Sequence, residues 1–510
     1  MSEKSSASAF EAEFQRIRDE LDIPRAFAPD VLAEARQAAR RVDALKTTPP
    51  GYQPLPDIPF VTIDPPESMD LDQAFFAAPR AAGYEVHYAI ADVGFFVDHG
   101  GAIENEAWRR GLTLYSPNGK TPLYPAELSE GAASLLSGQS RPAIVFTFDL
   151  DARAAVRAAG VQRAIIRSRA KLSYQQVSEH LDAERGAAGT GALAGQEWAP
   201  VLRCLELIGR GRQKLEIERG GVSLRIPAQQ VERWSMALSG YRLAFELSTP
   251  VEEWNAQISL MTGMAAAEMM RDKGAGLLRA LDPPDPDRVR ALRLTARALD
   301  VTWPDSMDYD DFVRGLDPAR PLHAVLLHQA ARVMGGARYV AFAGPASHRA
   351  AHSAIAAPYA HVTAPLRRLA DRYALDLLVA EQVTESAADT LRQAPRVMSE
   401  AERLSRTLEK RLVDFAEAQL LRDRIGETFS AVILSLGPGG AEIQITEPPV
   451  RTIISLAALS GAADIPPVIS ANGTTLQTGD TELTTGQTLQ LRLTAVNPER
   501  REIAFALADA

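Results

Sequence analysis

The sequence predicts an α+β multidomain protein with a small N-terminal helical module, a mixed αβ domain in the middle and a small C-terminal β-barrel. Three observations support this prediction. Apolar residues recur at helical spacing near the start, strand-like and helical segments mix after a proline-rich stretch, and short strands at regular spacing end the chain. The 510 residues and an apolar share of 46% are sufficient for several packed cores.

The first 46 residues are predicted to form the helical module. Asp30 is a candidate N-cap for its second helix. Two interpretations stay open: the module is a helix-turn-helix, or it is an arm that packs on the rest of the protein. The first helix presents one apolar face, formed by Phe10, Phe14, Ile17 and Leu21.

Changes in composition divide the rest of the chain into four segments. Residues 47–59 are rich in proline and glycine and are predicted to be a linker. Residues 60–385 mix strand-like and helical segments and form the largest predicted domain, and residues 386–425 are predicted to be a long helical segment. Residues 426–510 contain short strands separated by turn signals, which is typical of a small β-barrel.

The composition restricts the classes of function. The single cysteine, Cys204, excludes an internal disulfide framework and fits a reducing cytoplasm. The N-terminus lacks the pattern of a signal peptide, and no apolar run reaches the roughly 18 residues of a membrane span. We therefore expect a cytoplasmic protein without a membrane segment, and a monomer. The net charge of −10 argues against nucleic-acid binding, although such a total can hide a basic channel.

The stretch VTIDPPESMDLDQAF crowds three aspartates, Asp64, Asp70 and Asp72, into one short loop. Closely packed carboxylates repel one another unless a cation lies among them. Hard oxygen ligands of this kind suit Mg²⁺, and Asp70 and Asp72 point to the same side of an extended segment. The loop is therefore a candidate metal site. The alternative is a solvated turn, for which Asp and Pro are ordinary residues.

A second segment, YAHVTAPLRRLADRYALDLLV, places Arg367 and Arg368 two and three residues after Pro365. Arginine is the side chain best suited to a bidentate grip on phosphate. The alternative interpretation is a helix that begins after a proline and has a charged first turn.

Together these two segments resemble the signatures of the ribonuclease II and ribonuclease R family, whose catalytic unit is the RNB domain. TIDPPESMDLDQAF is similar to the acidic signature of that family, and YAHVTAPLRRLAD is similar to its arginine signature. Three further matches lie between them in the order of the family: YAIADV, LTLYSPNGKTPLYPAELSEGAASL and PVEEWNAQISLMTGMAAAEMM. The resemblance extends from about Phe60 to the C-terminus, and five ordered motifs are far more specific than any one of them.

The resemblance implies an RNB catalytic domain over residues 60–385 and a C-terminal OB-fold barrel of the ribosomal S-one type. It implies an enzyme, a 3′→5′ exoribonuclease that hydrolyses single-stranded RNA processively to nucleoside 5′-monophosphates with Mg²⁺, or with Mn²⁺. Two alternatives stay open. One is a degenerate family member that binds RNA without cleaving it, and the other is a Mg²⁺ phosphodiesterase that acts on another nucleic acid.

The resemblance also implies roles for single residues. Asp64, Asp70 and Asp72 match the metal-binding acids, and Asp72 matches the acid on which catalysis depends most. Arg367 matches the arginine that stabilises charge on the scissile phosphate. Gln73 stands where the family has a fourth acid, so it is a further candidate ligand, without charge, and weaker metal binding is expected. The candidate RNA contacts are Tyr115, Glu252, Arg368 and Glu409.

Two features depart from the family pattern. Fewer than 60 residues, predicted to be helical, precede the catalytic domain where the family carries cold-shock-type OB domains. Residues 426–510 hold four arginines, no lysine and nine acids, a net charge of −5, and their aromatic residues are Phe429 and Phe505. Barrels that bind single strands normally carry basic and stacking residues. This barrel is therefore expected to bind RNA weakly or to act as a structural wall.

Overall fold

The computed structural model describes residues 3–508 apart from 187–190, 225, 227, 235–239, 345–349, 446, 461–467, 471–472 and 479–480. Its parts are an N-terminal helical segment, a central region built on a seven-stranded sheet, a long helix and a C-terminal barrel. The predicted α+β multidomain fold is therefore confirmed.

The N-terminal segment forms two α-helices and a 3₁₀-helix: α1 (Glu3–Glu20), α2 (Pro29–Ala39) and Arg40–Lys46. The buried side chains of Phe10 and Phe14 on α1 pack in a core that is shared with the C-terminal barrel. Val31 and Ala35 on α2 belong to the core of the central region. Because the two helices pack on different cores, this geometry favours the arm and not a separate helix-turn-helix module at residues 1–46.

The central region contains a seven-stranded sheet of order β1-β8-β7-β4-β3-β2-β9. β1 pairs with β8 and β2 pairs with β9 in parallel, and the other neighbours are antiparallel. Separate antiparallel pairs are β5 with β6, β10 with β11 and β12 with β13. β1 lies within residues 47–59, so the predicted linker in fact adds an edge strand to the sheet. The strands of this region are β1 (Gln53–Leu55), β2 (Val61–Ile63), β3 (Gln73–Arg80), β4 (Gly83–Ala91), β5 (Leu114–Ser116), β6 (Gly119–Thr121), β7 (Ser140–Asp151), β8 (Val156–Arg167), β9 (Ala170–Leu172), β10 (Ala228–Arg233), β11 (Tyr241–Glu246), β12 (Ala275–Ala280) and β13 (Arg338–Ala343).

Helices cover the sheet and contribute the rest of the central core. The helix that follows the arginine segment is almost entirely buried, from Leu369 to Leu378, so the sheet and the neighbouring helices fix its N-terminal end. The helices are α3 (Ala102–Arg110), α4 (Tyr174–Arg185), α5 (Pro200–Glu218), α6 (Pro250–Lys273), α7 (Pro286–Ala298), α8 (Tyr309–Arg314), α9 (Pro321–Val333) and α10 (Leu369–Val379), with a 3₁₀-helix at Val93–Phe95 and a π-helix at Glu127–Ala132.

The long helix α11 (Glu385–Leu421) has 37 residues and continues into a 3₁₀-helix at Arg422–Arg424. These elements coincide with the helical segment predicted at 386–425. The first half of α11 packs in the central core, and its second half packs in the core that contains α1 and the barrel. Gly111, at φ 69°, allows the chain before β5 to approach α11 closely, because a Cβ there would lie 2.7 Å from Cβ of Ala401. Among the described residues, no helix is both long and apolar enough to cross a bilayer.

The C-terminal region is a five-stranded antiparallel sheet of order β16-β15-β14-β20-β21. Its two outer strands contact each other, so the sheet curls into an OB-like barrel. Phe429 and Phe505 are both buried inside it and are not presented to a nucleic acid. β17, β18 and β19 form a separate small sheet. The elements are β14 (Thr428–Gly437), β15 (Gly440–Ile445), β16 (Val450–Ile454), α12 (Leu456–Ser460), β17 (Val468–Ile469), β18 (Thr475–Thr478), β19 (Thr481–Thr484), β20 (Thr488–Asn497) and β21 (Glu502–Leu507).

Candidate active site

The acidic loop connects two neighbouring strands of the seven-stranded sheet. Asp64 directly follows β2 and Asp72 directly precedes β3, so the antiparallel pairing of these strands fixes both ends of the loop. Asp72 is 3% exposed, whereas Asp64 and Asp70 are partly buried. The negative charge of Asp70 adds to the effect of burial in raising the pKa of Asp64 and that of Asp72.

Asp72 joins the acidic loop to the arginine segment. Its Oδ1 accepts a hydrogen bond from the Leu366 N–H at 2.7 Å, and its Oδ2 lies 3.5 Å from Nε of Arg367. Burial raises the pKa of Asp72 to about 8, although Arg367 and the Leu366 hydrogen bond act in the opposite direction. The positive charge present near Asp72 is therefore too small to balance a carboxylate this deeply buried.

Asp64 shows the same imbalance. Burial raises the pKa of Asp64 to about 6, and the negative charge of Asp70 adds to this effect. The charges of Arg367 and Lys171 lower the pKa but do not restore its ordinary value. A further cation would stabilise the ionised forms of both Asp64 and Asp72.

Asp70 differs from these two because its carboxylate is hydrogen-bonded to a lysine ammonium. Nζ of Lys120 lies 2.7 Å from Oδ1 of Asp70 and 2.9 Å from Oε1 of Glu130. The hydroxyl of Tyr115 lies 3.4 Å from the other oxygen of Asp70. Lys120 and Tyr115 are directly paired across β5 and β6, so one hairpin delivers both side chains. The sequence-based reasoning missed Lys120, although its position opposite Tyr115 in SPNGK was a usable signal.

Gln73 links the acidic loop to the segment before Arg367. Its Nε2 donates a hydrogen bond to the carbonyl oxygen of Thr363. Its Oε1 accepts one from the hydroxyl of Tyr88 at 3.2 Å. Both ends of the amide therefore have partners within the protein, and a role of Gln73 as a metal ligand stays a prediction.

The two adjacent arginines have different environments. The side chain of Arg367 is 42% exposed and lies beside Asp72. Arg368 donates two hydrogen bonds to Asp371, at 3.0 and 2.9 Å, and this ion pair raises the pKa of Arg368 against the effect of burial. Asp371 also accepts the N–H of Ala364 at 2.8 Å. Arg367 is thus free to meet an anion, whereas contact between Arg368 and RNA would require breaking a buried pair.

The other predicted RNA contacts lie in different settings. The ring of Tyr115 is 52% exposed beside the acidic loop. The Glu252 carboxylate accepts the N–H of Thr249 at 2.6 Å, as part of the capping box that begins α6. Glu409 is exposed on α11, whereas Glu402 of the same helix pairs with Arg279 at 2.8 Å. Their contacts with RNA stay predictions.

The sequence model of the RNB domain matches residues 52–382, which is more than half of the chain. The chain belongs to the RNB domain family. Ribonuclease R of Aquifex aeolicus is 24% identical over 88% of this chain, which spans 64% of the length of that relative. Exoribonuclease 2 of Cronobacter sakazakii is 28% identical over 87% of this chain, which spans 69% of the length of that relative.

Solved structures share the fold of this RNB protein. Mycoplasma genitalium RNase R in complex with ribose-methylated single-stranded RNA matches it with a TM-score of 0.84 at 21% identity, over 97% of this chain and 78% of that one. Yeast Ssd1, a pseudonuclease, matches with a TM-score of 0.62 at 16% identity, over 85% of this chain and 53% of that one. The family resemblance inferred from five motifs is therefore confirmed.

The RNB resemblance implies a divalent cation, and part of the predicted ligand set fits one. Asp64 and Asp72 are carboxylates whose pKa values are raised by burial despite nearby positive charge, whereas Asp70 is paired with Lys120. Accordingly, no three His, Cys, Asp or Glu side chains within the described part of the chain are arranged to hold a metal together. Mg²⁺ in proteins is usually held by one or two carboxylates and completes its shell with water and phosphate. The pair of Asp64 and Asp72 fits such an ion.

A basic groove lies outside the RNB match, between α11 and the turn that joins β20 to β21. It is a cavity of about 470 Å³ lined by six basic residues, one acid and one threonine. Arg411 and Arg501 pair with Glu20 of α1, at 3.0 and 2.7 Å, and Lys410 pairs with Asp414. The described residues give no ion-pair partner to the remaining arginines. The lining residues are Arg403, Arg406, Thr407, Lys410, Arg411, Asp414, Arg500 and Arg501.

The sequence alone indicates the part of the basic groove that lies on α11. Arg403, Arg406 and Lys410 have the spacing of one helix face, which is visible in the predicted helical segment. Arg500 and Arg501 join them only through the fold. The groove also shows how a protein with a net charge of −10 presents a local positive surface.

Proposed function

We propose that this RNB protein is a 3′→5′ exoribonuclease that hydrolyses single-stranded RNA processively to nucleoside 5′-monophosphates and uses Mg²⁺ or Mn²⁺. The observation that carries the proposal is the buried Asp72, which contacts both the Leu366 N–H and Arg367 and lacks sufficient positive charge. The names ribonuclease R and exoribonuclease 2 of the sequence relatives support it. We expect the protein to act as a cytoplasmic monomer.

The side chains of the site have separate tasks in this proposal. Asp64 and Asp72 would hold the divalent cation, which when bound supplies positive charge for attack on the phosphodiester. Arg367, beside Asp72 and 42% exposed, would stabilise the negative charge that develops on the phosphate. The exposed ring of Tyr115 would stack on a base near the 3′ end, without reading its identity.

The basic groove is the candidate binding surface for the part of the RNA chain that lies outside the active site. Its unpaired arginines, Arg403, Arg406 and Arg500, would contact phosphates, which carry no sequence information. The barrel would then contribute to binding through the turn that carries Arg500 rather than through aromatic residues, because Phe429 and Phe505 are buried.

A second candidate function is RNA binding without cleavage. Gln73 favours it, because the family carries an acid at that position and here the amide is hydrogen-bonded to Thr363 and Tyr88. The fold match to a pseudonuclease is compatible with it. Against it stand Asp64, Asp72 and Arg367, which keep the charges that phosphodiester hydrolysis requires.

One assay separates the two candidates. A 5′-labelled single-stranded RNA is incubated with the protein and Mg²⁺, with and without EDTA, and the products are separated by length and by chromatography of mononucleotides. We expect stepwise shortening, release of nucleoside 5′-monophosphates and complete inhibition by EDTA. The variant Asp72→Asn serves as the control for contaminating nucleases. Binding without shortening would support the non-cleaving candidate, and shortening that persists in EDTA would contradict the metal-dependent mechanism.

A further inference from the structure

Asp70 is the aspartate of the loop whose carboxylate is hydrogen-bonded to a lysine ammonium. Oδ1 accepts from the Lys120 ammonium at 2.7 Å, and Oδ2 lies 3.4 Å from the Tyr115 hydroxyl. The Asp70 side chain is 10% exposed and that of Lys120 is 21% exposed, so the ion pair is largely withdrawn from solvent. Solvent screening therefore weakens this pair much less than it weakens an exposed one.

Two features of the structure hold the Lys120 side chain beside Asp70. Its strand, β6, pairs with β5 in a short hairpin that sets Lys120 opposite Tyr115. A second carboxylate, Glu130 on the π-helix, lies 2.9 Å from the same ammonium. The ammonium of Lys120 is thus held between two carboxylates, those of Asp70 and Glu130.

Gln73 removes the other expected ligand. An acid at this position would bring a fourth negative charge, whereas the amide brings none and is held by Thr363 and Tyr88. Within the acidic loop, two of the four candidate ligands are thus committed to contacts inside the protein. The remaining two candidate ligands are Asp64, which directly follows β2, and Asp72, which directly precedes β3.

We propose that Lys120 is a built-in cation of this site: its ammonium takes the place beside Asp70 that a second metal ion would need, so the protein binds a single divalent cation through Asp64 and Asp72. The inference rests on the proposed function, because it assumes that the acidic loop binds metal. A second divalent ion at Asp70 would have to displace Lys120 or lie against its positive charge.

The test measures Mn²⁺ binding and does not depend on RNA cleavage. The protein is titrated with Mn²⁺, and the free ion is followed by its electron paramagnetic resonance signal. We expect one bound Mn²⁺ per wild-type chain and two per chain of Lys120→Met. Lys171→Met is the matched control, since Lys171 also lowers the pKa of Asp64 but its Nζ contacts the Pro66 carbonyl at 2.6 Å. We expect that control to bind one ion.

Three further variants extend the test. Asp70→Asn should leave one bound ion with little change in affinity, whereas Asp64→Asn should weaken binding by at least about tenfold. Lys120→Arg, which keeps the positive charge, should bind one ion like the wild type. Thermal melts verify that each variant is folded, and Lys120→Gln replaces Lys120→Met if the latter does not fold.

Two bound ions in the wild type, or one ion of unchanged affinity in a folded Lys120→Met protein, would overturn the inference. A loss of affinity in Asp70→Asn as large as that in Asp64→Asn would overturn it as well. If Mn²⁺ did not bind, or if Asp64→Asn bound it normally, the proposed metal site itself would be wrong. A failure of this inference is therefore distinguishable from a failure of the proposed function.

Discussion

The acidic pocket, which is the region around Asp64, Asp72 and Arg367, and the basic groove are two regions with opposite net charge. In the pocket, burial raises the pKa values of Asp64 and Asp72, and the nearby positive charges are too weak to cancel this effect. In the groove, the positive charge of the lining side chains, which include Arg403, Arg406 and Arg500, is larger than the negative charge of the acid among them. Both regions suit the same polymer, because the pocket would meet a phosphate through a bound cation and the groove would meet phosphates directly.

Two arginines that are adjacent in the chain, Arg367 and Arg368, differ in how completely they are paired. Arg368 and Asp371 are buried together with three hydrogen bonds among Arg368, Asp371 and the Ala364 N–H. Arg367, one residue earlier, has one long contact with Asp72 and remains 42% exposed. The paired arginine maintains the fold, and the incompletely paired one is the candidate for chemistry.

The largest effect is expected from the pocket. Asp72→Asn removes the negative charge that would hold the cation, so cleavage should fall by more than about 10³-fold, beyond the 10²–10³ typical of one charge-stabilising group. RNA affinity should change little, because the groove is intact. Rates and filter binding are measured on the same RNA. Near-normal cleavage by the variant would show that the pocket around Asp72 is not the catalytic site.

Substitution of Arg367 should lower the rate of cleavage, whereas substitution of Arg368 should lower the stability of the fold. Arg367→Ala should lower the rate by about 10²–10³ and leave the melting temperature unchanged, and Arg367→Lys should recover little of the rate. Arg368→Met should instead lower the free energy of unfolding by about 3–5 kcal/mol, because Asp371 stays buried without its partner. Denaturant unfolding and single-turnover kinetics are measured on both variants. Equal stability losses would contradict the distinction between them.

A smaller effect is expected from the groove. The double variant Arg403→Glu/Arg406→Glu should weaken binding of long single-stranded RNA on the order of tenfold and reduce the slope of log affinity against log salt by about 1.4. The control, Arg392→Glu/Arg396→Glu, makes the same charge change on the same helix at residues that are paired with acids. Identical salt dependence of the two double variants would show that the groove makes no specific contribution.

The smallest effect is a dependence of stability on pH. Without metal, folded Asp72 holds its proton up to about pH 8, whereas the unfolded chain releases it near pH 4. Folding then takes up a proton, so the melting temperature in EDTA should fall by a few degrees as the pH rises from about 5 to 8. Mg²⁺ should offset this fall, and Asp72→Asn should reduce it. A melting temperature that rises over this range in EDTA would mean that Asp72 is ionised in the folded protein.

The sequence predicted the parts of the site that are local in the chain. The acidic loop and the arginine segment each lie within one short motif, and their residue types point to phosphate chemistry. Lys120 escaped prediction because a hairpin brings it to Asp70 across 50 residues. The sequence shows that Gln73 replaces an acid of the family pattern. Its hydrogen bond to Thr363 could not be predicted, because Thr363 lies 290 residues away in the chain.

The fold shows the same limit. The helical face of Phe10 and Phe14 was predicted, but an amphipathic face does not state what covers it, and here it packs in the core of the barrel. The stretch predicted to be a linker at residues 47–59 contains β1, which gains its hydrogen bonds from β8, more than 100 residues later. Local propensity cannot reveal a strand of three residues whose stability comes from a distant partner.

The helix α11 connects the two regions with a fixed spacing. Ala401 lies against Gly111 at the base of the hairpin that carries Tyr115 and Lys120, and Arg403 to Lys410 line the groove on the following turns. At about 1.5 Å per residue, the nine residues from Ala401 to Lys410 span about 14 Å. A continuous helix keeps this spacing constant, so under the proposed function an RNA too short to reach both ends would lose one of its two contacts. The shortest product that this protein releases would then be a dimension of α11 and not a property of the chemistry.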